Sequence, residues 1–254
     1  MIYLLLGGIC AVLGTGSGLG ATTLLRPLLD AISPLDAASV SLLCTAAALG
    51  AALVCAFFAL SQPIALHQDE LLLLAIGAIL GGVLGDLTGA RFLAMLPERG
   101  SLLLQNALLF TLLALPAVYF SGLERSIPRL NITRMAALPA SALIGMAASF
   151  LSFGCVPLSL MAYRLLFDAT DEEASLAALA VALCAMAGKL ICMLIRLKLN
   201  IPNADVLLWL LPGALLGTLA GIVPGVQRSL PLDGQSLLKF SLFAAVINAA
   251  SAFS

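Results

Sequence analysis

The feature that most constrains this chain is a series of long runs that carry no charge. Residues 1–25, 37–66, 100–123, 135–163, 206–227 and 240–254 contain none, 71–90 contain only Asp86, and 174–195 contain only Lys189. A bilayer core of ~30 Å is crossed by ~20 helical residues, and most of these runs reach that length. The last becomes long enough once Leu237, Leu238 and a snorkelling Lys239 join it. Eight segments are therefore expected, in an all-α integral membrane protein. Composition agrees. Of 254 residues, 62% are hydrophobic and 10% charged, against about 25% charged in a soluble domain. Too few charges exist to coat a surface facing water.

A net charge of −1 leaves no basic footprint for nucleic acid. The connections hold the charges and the turn formers, and none is long enough for a domain outside the bilayer. Lys and Arg divide almost evenly between the two sides, so they set no orientation. No Lys or Arg precedes the first apolar run, and a cleavable leader needs a basic start. The first segment is expected to be retained.

The halves repeat. Arg26-Pro27-Leu28-Leu29-Asp30-Ala31 aligns with Arg164-Leu165-Leu166-Phe167-Asp168-Ala169 at an offset of 138, which also sets Gly16 on Gly154 and Ser17 on Cys155. Gly82, Gly85 and Gly89 match Gly213, Gly217 and Gly221 at offsets of 131 and 132. The division expected is a first four-segment repeat over 1–123, a polar linker over 124–134 and a second repeat over 135–254. The paired G-x-x-x-G spacing permits close helix approach in lipid.

Gly14-Thr15-Gly16-Ser17-Gly18-Leu19-Gly20 lies within the first run. Four glycines in seven residues disfavour helix by ~1 kcal/mol each, so the first segment of each repeat is expected to be broken or re-entrant. The second-half counterpart, Ser152-Phe153-Gly154-Cys155-Val156-Pro157, has one glycine and one proline. Bare backbone at bilayer depth is tolerable where it lines a cavity or binds something. Duplicated broken helices mark the substrate site of many transporters. A half-helix starting after such a break points N–H groups and a positive dipole end at an anion. The same glycines would also permit a kink or tight packing.

Arg26 and Arg164 close the two broken segments. Their planar, permanently charged forks suit oxyanions and could cradle one together; alternatively each snorkels, or pairs with Asp30 or Asp168 four residues on. Asp86 and Lys189 interrupt apolar segments, where ionisable groups point to function. Asp86 is a candidate for a coupling proton and Lys189 for a positive charge on the path, or both are boundary residues that snorkel. His67 falls in a polar loop. No nucleophile–base constellation and no metal-ligand spacing is present, and a Gly16-x-Gly18-x-x-Ala21 match lacks the strand–helix–strand context of a dinucleotide site. The six cysteines, all in apolar runs, read as small hydrophobes. Neither an enzyme nor a cofactor is expected.

Gly14-Thr15-Gly16-Ser17-Gly18, then Arg26-Pro27-Leu28-Leu29, then Ala37-Ala38-Ser39-Val40-Ser41-Leu42 resembles the opening of the sulfite exporter TauE/SafE permease family. Leu80-Gly81-Gly82-Val83-Leu84-Gly85 through Arg91 and the stretch from Gly213 to Gly221 resemble its third and seventh segments. The likeness runs in order along nearly the whole chain. It implies a secondary transporter for a small anion, sulfur-containing or organic, in the cell membrane, with the site between the repeats. A non-transporting membrane-embedded accessory subunit is the alternative. The partners expected are the bilayer, the anionic solute, a coupling proton or cation, and a second copy of the chain.

Overall fold

The computed structural model describes residues 1–32, 35–59, 67–121, 130, 132–167, 169–197 and 203–223, with positions 239, 242, 243 and 246. Among them there is no strand. In chain order the helices are α1 (Ile2–Gly16), α2 (Thr22–Ile32), α3 (Ala37–Ala59), α4 (Gln68–Ala94), α5 (Glu98–Phe120), α6 (Ala137–Leu151), α7 (Val156–Phe167), α8 (Asp171–Arg196) and α9 (Ala204–Ile222), with a 3-10 turn at Arg134–Ala136 before α6. Helix is the expected outcome, because lipid offers backbone groups no partner and each segment must satisfy its own. By length and composition α3, α4, α5, α6 with its preceding turn, α8 and α9 can each cross a bilayer. That is six where the sequence suggests eight. The final run lies outside the described residues except for isolated positions, and the first run divides into two shorter helices.

The outside is apolar and the inside carries small polar groups, the reverse of a soluble domain. Phe57, Ile195 and Leu208 are 72%, 73% and 70% exposed, while Ser39, Thr45, Ser141 and Thr218 are fully buried. Within lipid, helices gain by close backbone approach rather than by hiding apolar surface. Glycines supply that approach. On α4, Gly81, Gly85 and Gly89 face Ala142, Met146 and Phe150 of α6; on α9, Gly213, Gly217 and Gly221 face Leu4, Gly8 and Val12 of α1. A Cβ at Gly81, Gly85, Gly213 or Gly217 would overlap a backbone carbonyl oxygen of the facing helix. The two contacts correspond at fixed offsets, 132 along the glycine ridges and 138 along their partners. Gly82, aligned with this ridge from sequence, lies on another face, against Ala185 of α8.

Chain direction follows from these registers. In both glycine contacts residue numbers rise together, so α1 runs parallel to α9 and α6 parallel to α4. Asn203 at the start of α9 donates to Ser39 Oγ at 2.8 Å, and Gly50 lies against Leu211 and Leu215, so α3 also runs with α9. Helix α2 packs beside α3, its Leu25 and Leu29 in one buried cluster with Leu43 and Ala47. Only residues 33–36 separate the two helices, so α2 runs opposite to α3 and to α1. At the other hairpin, Leu130 and Ile132 donate backbone N–H bonds to Leu165 O (2.7 Å) and Leu166 O (2.9 Å), bringing the end of α7 back beside the entry to α6. Both broken segments are thus helical hairpins. Helices α3 and α8 run antiparallel, with Ser41 beside Met193 at one end, so the hairpins enter the bundle from opposite ends.

Candidate functional site

The hairpin tips meet inside the bundle. The first turn spans residues 17–21, with Gly18 at φ 75° and Gly20 at φ 86°. It begins later than the glycine run suggests, since Gly14, Thr15 and Gly16 remain helical. Gly14 is needed there because a Cβ would strike the Gly20 carbonyl. Its own carbonyl accepts from the Leu19 and Gly20 N–H groups, both at 2.9 Å, and from Ser17 Oγ at 3.2 Å. This tip is closed by its own backbone.

The second turn, residues 152–155, reverses the chain with non-glycine residues: Ser152 at φ 55° and Cys155 at φ 46°. Such left-handed positions are unfavourable for residues with a Cβ and persist where the surroundings enforce them. At the Ser152 end of the turn two buried cations hold the backbone. Lys189, 2% exposed, donates from Nζ to Ser149 O and, at 2.6 Å, to Ser152 Oγ. Arg26 Nη1 donates to Leu151 O at 3.2 Å. Both cations therefore sit at the C-terminal end of α6, where its dipole is negative. Ser152 Oγ also bonds Ser41 Oγ at 2.6 Å, tying the tip to α3. The tips touch directly where the Gly154 N–H donates to Thr22 Oγ1 at 3.0 Å.

A cavity adjoins each side of this junction. One, of about 220 Å³, is lined by Thr15, Gly18, Gly20, Thr22 and Gly154 with the later part of α3 and the early part of α8, and is almost wholly apolar. The other, of about 400 Å³, is lined by Ser41, Asp86, Gln105, Ser149, Lys189 and Arg196 among others. It holds two cations against one carboxylate. Asp86 Oδ1 accepts from Arg196 Nη2 at 3.2 Å, Asp86 being 5% exposed and the Arg196 side chain 38%. Lys189 lies deep and Arg196 at the mouth.

The structure places Arg26 and Arg164 apart. Arg26 is buried, with Nε on Asp30 Oδ2 at 2.9 Å and Nη2 on Gln105 Oε1 at 3.0 Å. Arg164 pairs with Asp171 at 2.8 Å and lies 5.6 Å above the Phe120 ring. Gln105 and Phe120 are fifteen residues apart on α5, or ~22 Å along its axis. The two guanidinium groups do not share a cradle, because the hairpins that carry them point in opposite directions. Asp168 lies outside the described residues. Thr15, Gly18 and Gly154 line the apolar cavity, Asp86 and Lys189 the polar one, and Cys155 is buried in the second tip. His67 is exposed at the start of α4. The polar pair Gln105-Asn106 was the available signal for α5, and a scan for charges alone passes over it.

A multi-pass helical bundle of apolar exterior, holding a junction of backbone turns and buried cations between two cavities, defines the class of a multi-pass membrane protein. The family model described as sulfite exporter TauE/SafE matches residues 3–251, so the chain belongs to the sulfite exporter TauE/SafE family of membrane transporters and is not an enzyme. No curated protein and no solved structure matches it significantly.

Proposed function

We propose that this protein is a secondary transporter that carries a small anion, sulfur-containing or organic, through the junction of the two hairpin tips. The observation that carries the reading is Lys189, a buried ammonium at the floor of a 400 Å³ cavity. No carboxylate among the described residues forms a direct ion pair with it, the ion-pair partner of Asp86 being Arg196. A fixed cation in low dielectric attracts an anion far more strongly than the same cation in water. Desolvation is answered by bonds to Ser149 and Ser152, so the site is organised before the solute arrives.

Two contacts at constant sequence offsets, on chains of opposite direction, support a duplicated and inverted architecture: residues 1–123 and 135–254 as repeats about the linker 124–134. In that arrangement the polar cavity serves one face of the cell membrane and the apolar cavity the other. Transport then consists of one tip withdrawing while the other stays closed. Asp86 is the candidate for a coupling proton or cation, and a second copy of the chain is the proposed assembly partner.

The test is flux in proteoliposomes of the purified chain, using labelled sulfite, small sulfonates and small carboxylates, with and without an imposed pH gradient. Saturable movement of at least one anion is expected, and a gradient-dependent rate if a proton is coupled. Absence of flux for every anion in both conditions contradicts the reading.

A further inference from the structure

Asp86, which lines the polar cavity, carries an acceptor that the described residues leave unused. Asp86 Oδ1 takes the Arg196 bond, while Oδ2, fully buried, has no hydrogen-bond partner among the described residues. Besides Arg196, the Cys192 thiol, a weak donor, lies against the carboxylate, and Lys189 is near enough to attract it. A buried carboxylate oxygen without a donor is costly, and native structures rarely leave one so. Across the same cavity lies the opposite situation. Lys189, which also lines it, has three N–H donors and directs two at Ser149 and Ser152.

A bare oxyanion offers acceptors only. It would satisfy Lys189 and be repelled by Asp86, and Oδ2 would stay unanswered. The charges lining the cavity, Lys189 and Arg196 against Asp86, sum to one positive, which matches a single negative charge on the ligand. We infer that the ligand of this cavity is a monoanion that bears its own neutral O–H or N–H donor, with its anionic group on Lys189 and its donor on Asp86 Oδ2. Asp86 is then the residue that determines specificity. The inference rests on the anion-carrier reading and narrows it to a substrate class.

Matched pairs test it: ethanesulfonate against 2-hydroxyethanesulfonate, and acetate against glycolate, titrated calorimetrically into the purified full-length protein. A hydrogen bond to a buried carboxylate predicts that each hydroxylated member binds about tenfold or more tightly than its partner. Asp86→Asn removes both the acceptor and the charge that repels a bare oxyanion, so the unsubstituted anions should bind at least as tightly as in the wild type while the preference within each pair vanishes or reverses. Equal affinities within both pairs in the wild type overturn the proposal. So does a preference that survives in Asp86→Asn. The wild-type comparison needs no variant, so misfolding of Asp86→Asn would not rescue it. If no member of either pair binds, the anion reading itself falls and this inference with it.

Discussion

The two hairpin tips solve one problem by different means. Each must reverse the chain inside the bundle without stranding backbone polar groups. The first does so with glycine: Gly18 and Gly20 adopt positive φ at little cost, and the Gly14 carbonyl collects the exposed N–H groups. The second does so with charge: Ser152 and Cys155 are held in left-handed conformations while Lys189 and Arg26 occupy the carbonyl end of α6. A self-contained turn needs nothing from its neighbours and lines an apolar cavity. A turn held by buried cations depends on them, and the same cations make its cavity polar. The difference is the reason we propose solute recognition at the second tip.

The largest expected effect comes from removing the cation. Lys189→Met deletes both the charge and two bonds to the tip, and flux in vesicles should fall at least about a hundredfold, ~3 kcal/mol in the barrier. A loss below about threefold would mean that the second tip does not need its ammonium.

Next are the glycine ridges. Gly85→Val and Gly217→Val each drive a side chain into a backbone carbonyl, of Met146 and Gly8 respectively. Each should cost about 3 kcal/mol and lower the thermal midpoint by a similar amount. A large effect at one site and none at the other would break the correspondence between the α4–α6 and α9–α1 contacts.

Thr22→Val removes the acceptor for the Gly154 N–H and should destabilise by about 1–2 kcal/mol, read as faster amide exchange in both turns. Smallest is a contrast of sign. Cys155→Gly relieves a left-handed residue and should be neutral or stabilising by up to about 1 kcal/mol, whereas Gly20→Ala imposes the same strain and should cost about 1 kcal/mol. Equal signs for the two would erase the distinction between the turns.

How much of this was legible beforehand depended on whether a feature is local. The helices were, because an uncharged run of twenty residues has few alternatives. The 138-residue offset also reappears in space, pairing Leu4, Gly8 and Val12 with Ala142, Met146 and Phe150. Gly82 was misassigned because neighbouring glycines on a helix point to different faces, and only packing tells which face meets α6. The first turn lay three residues beyond the expected start, since a helix tolerates Gly14 when its missing side chain is required by close contact with Gly20. The turn at Ser152–Cys155 was harder to see: non-glycine residues reach positive φ through tertiary enforcement, which no propensity records. Arg26 and Arg164 are equivalent in sequence yet distant in space. Hairpins of opposite direction send the residues that align in sequence to opposite ends.

That opposition is the central claim, and labelling from each side of the membrane tests it most directly. In a variant lacking the native cysteines, single cysteines replace Ile2, Ile32, Met135 or Ala169, at the open ends of the two hairpins. A membrane-impermeant thiol reagent should reach positions 2 and 32 from one face, and positions 135 and 169 from the other. Labelling of 2 and 32 from opposite faces would show that the first broken segment crosses the bilayer, and would contradict the account.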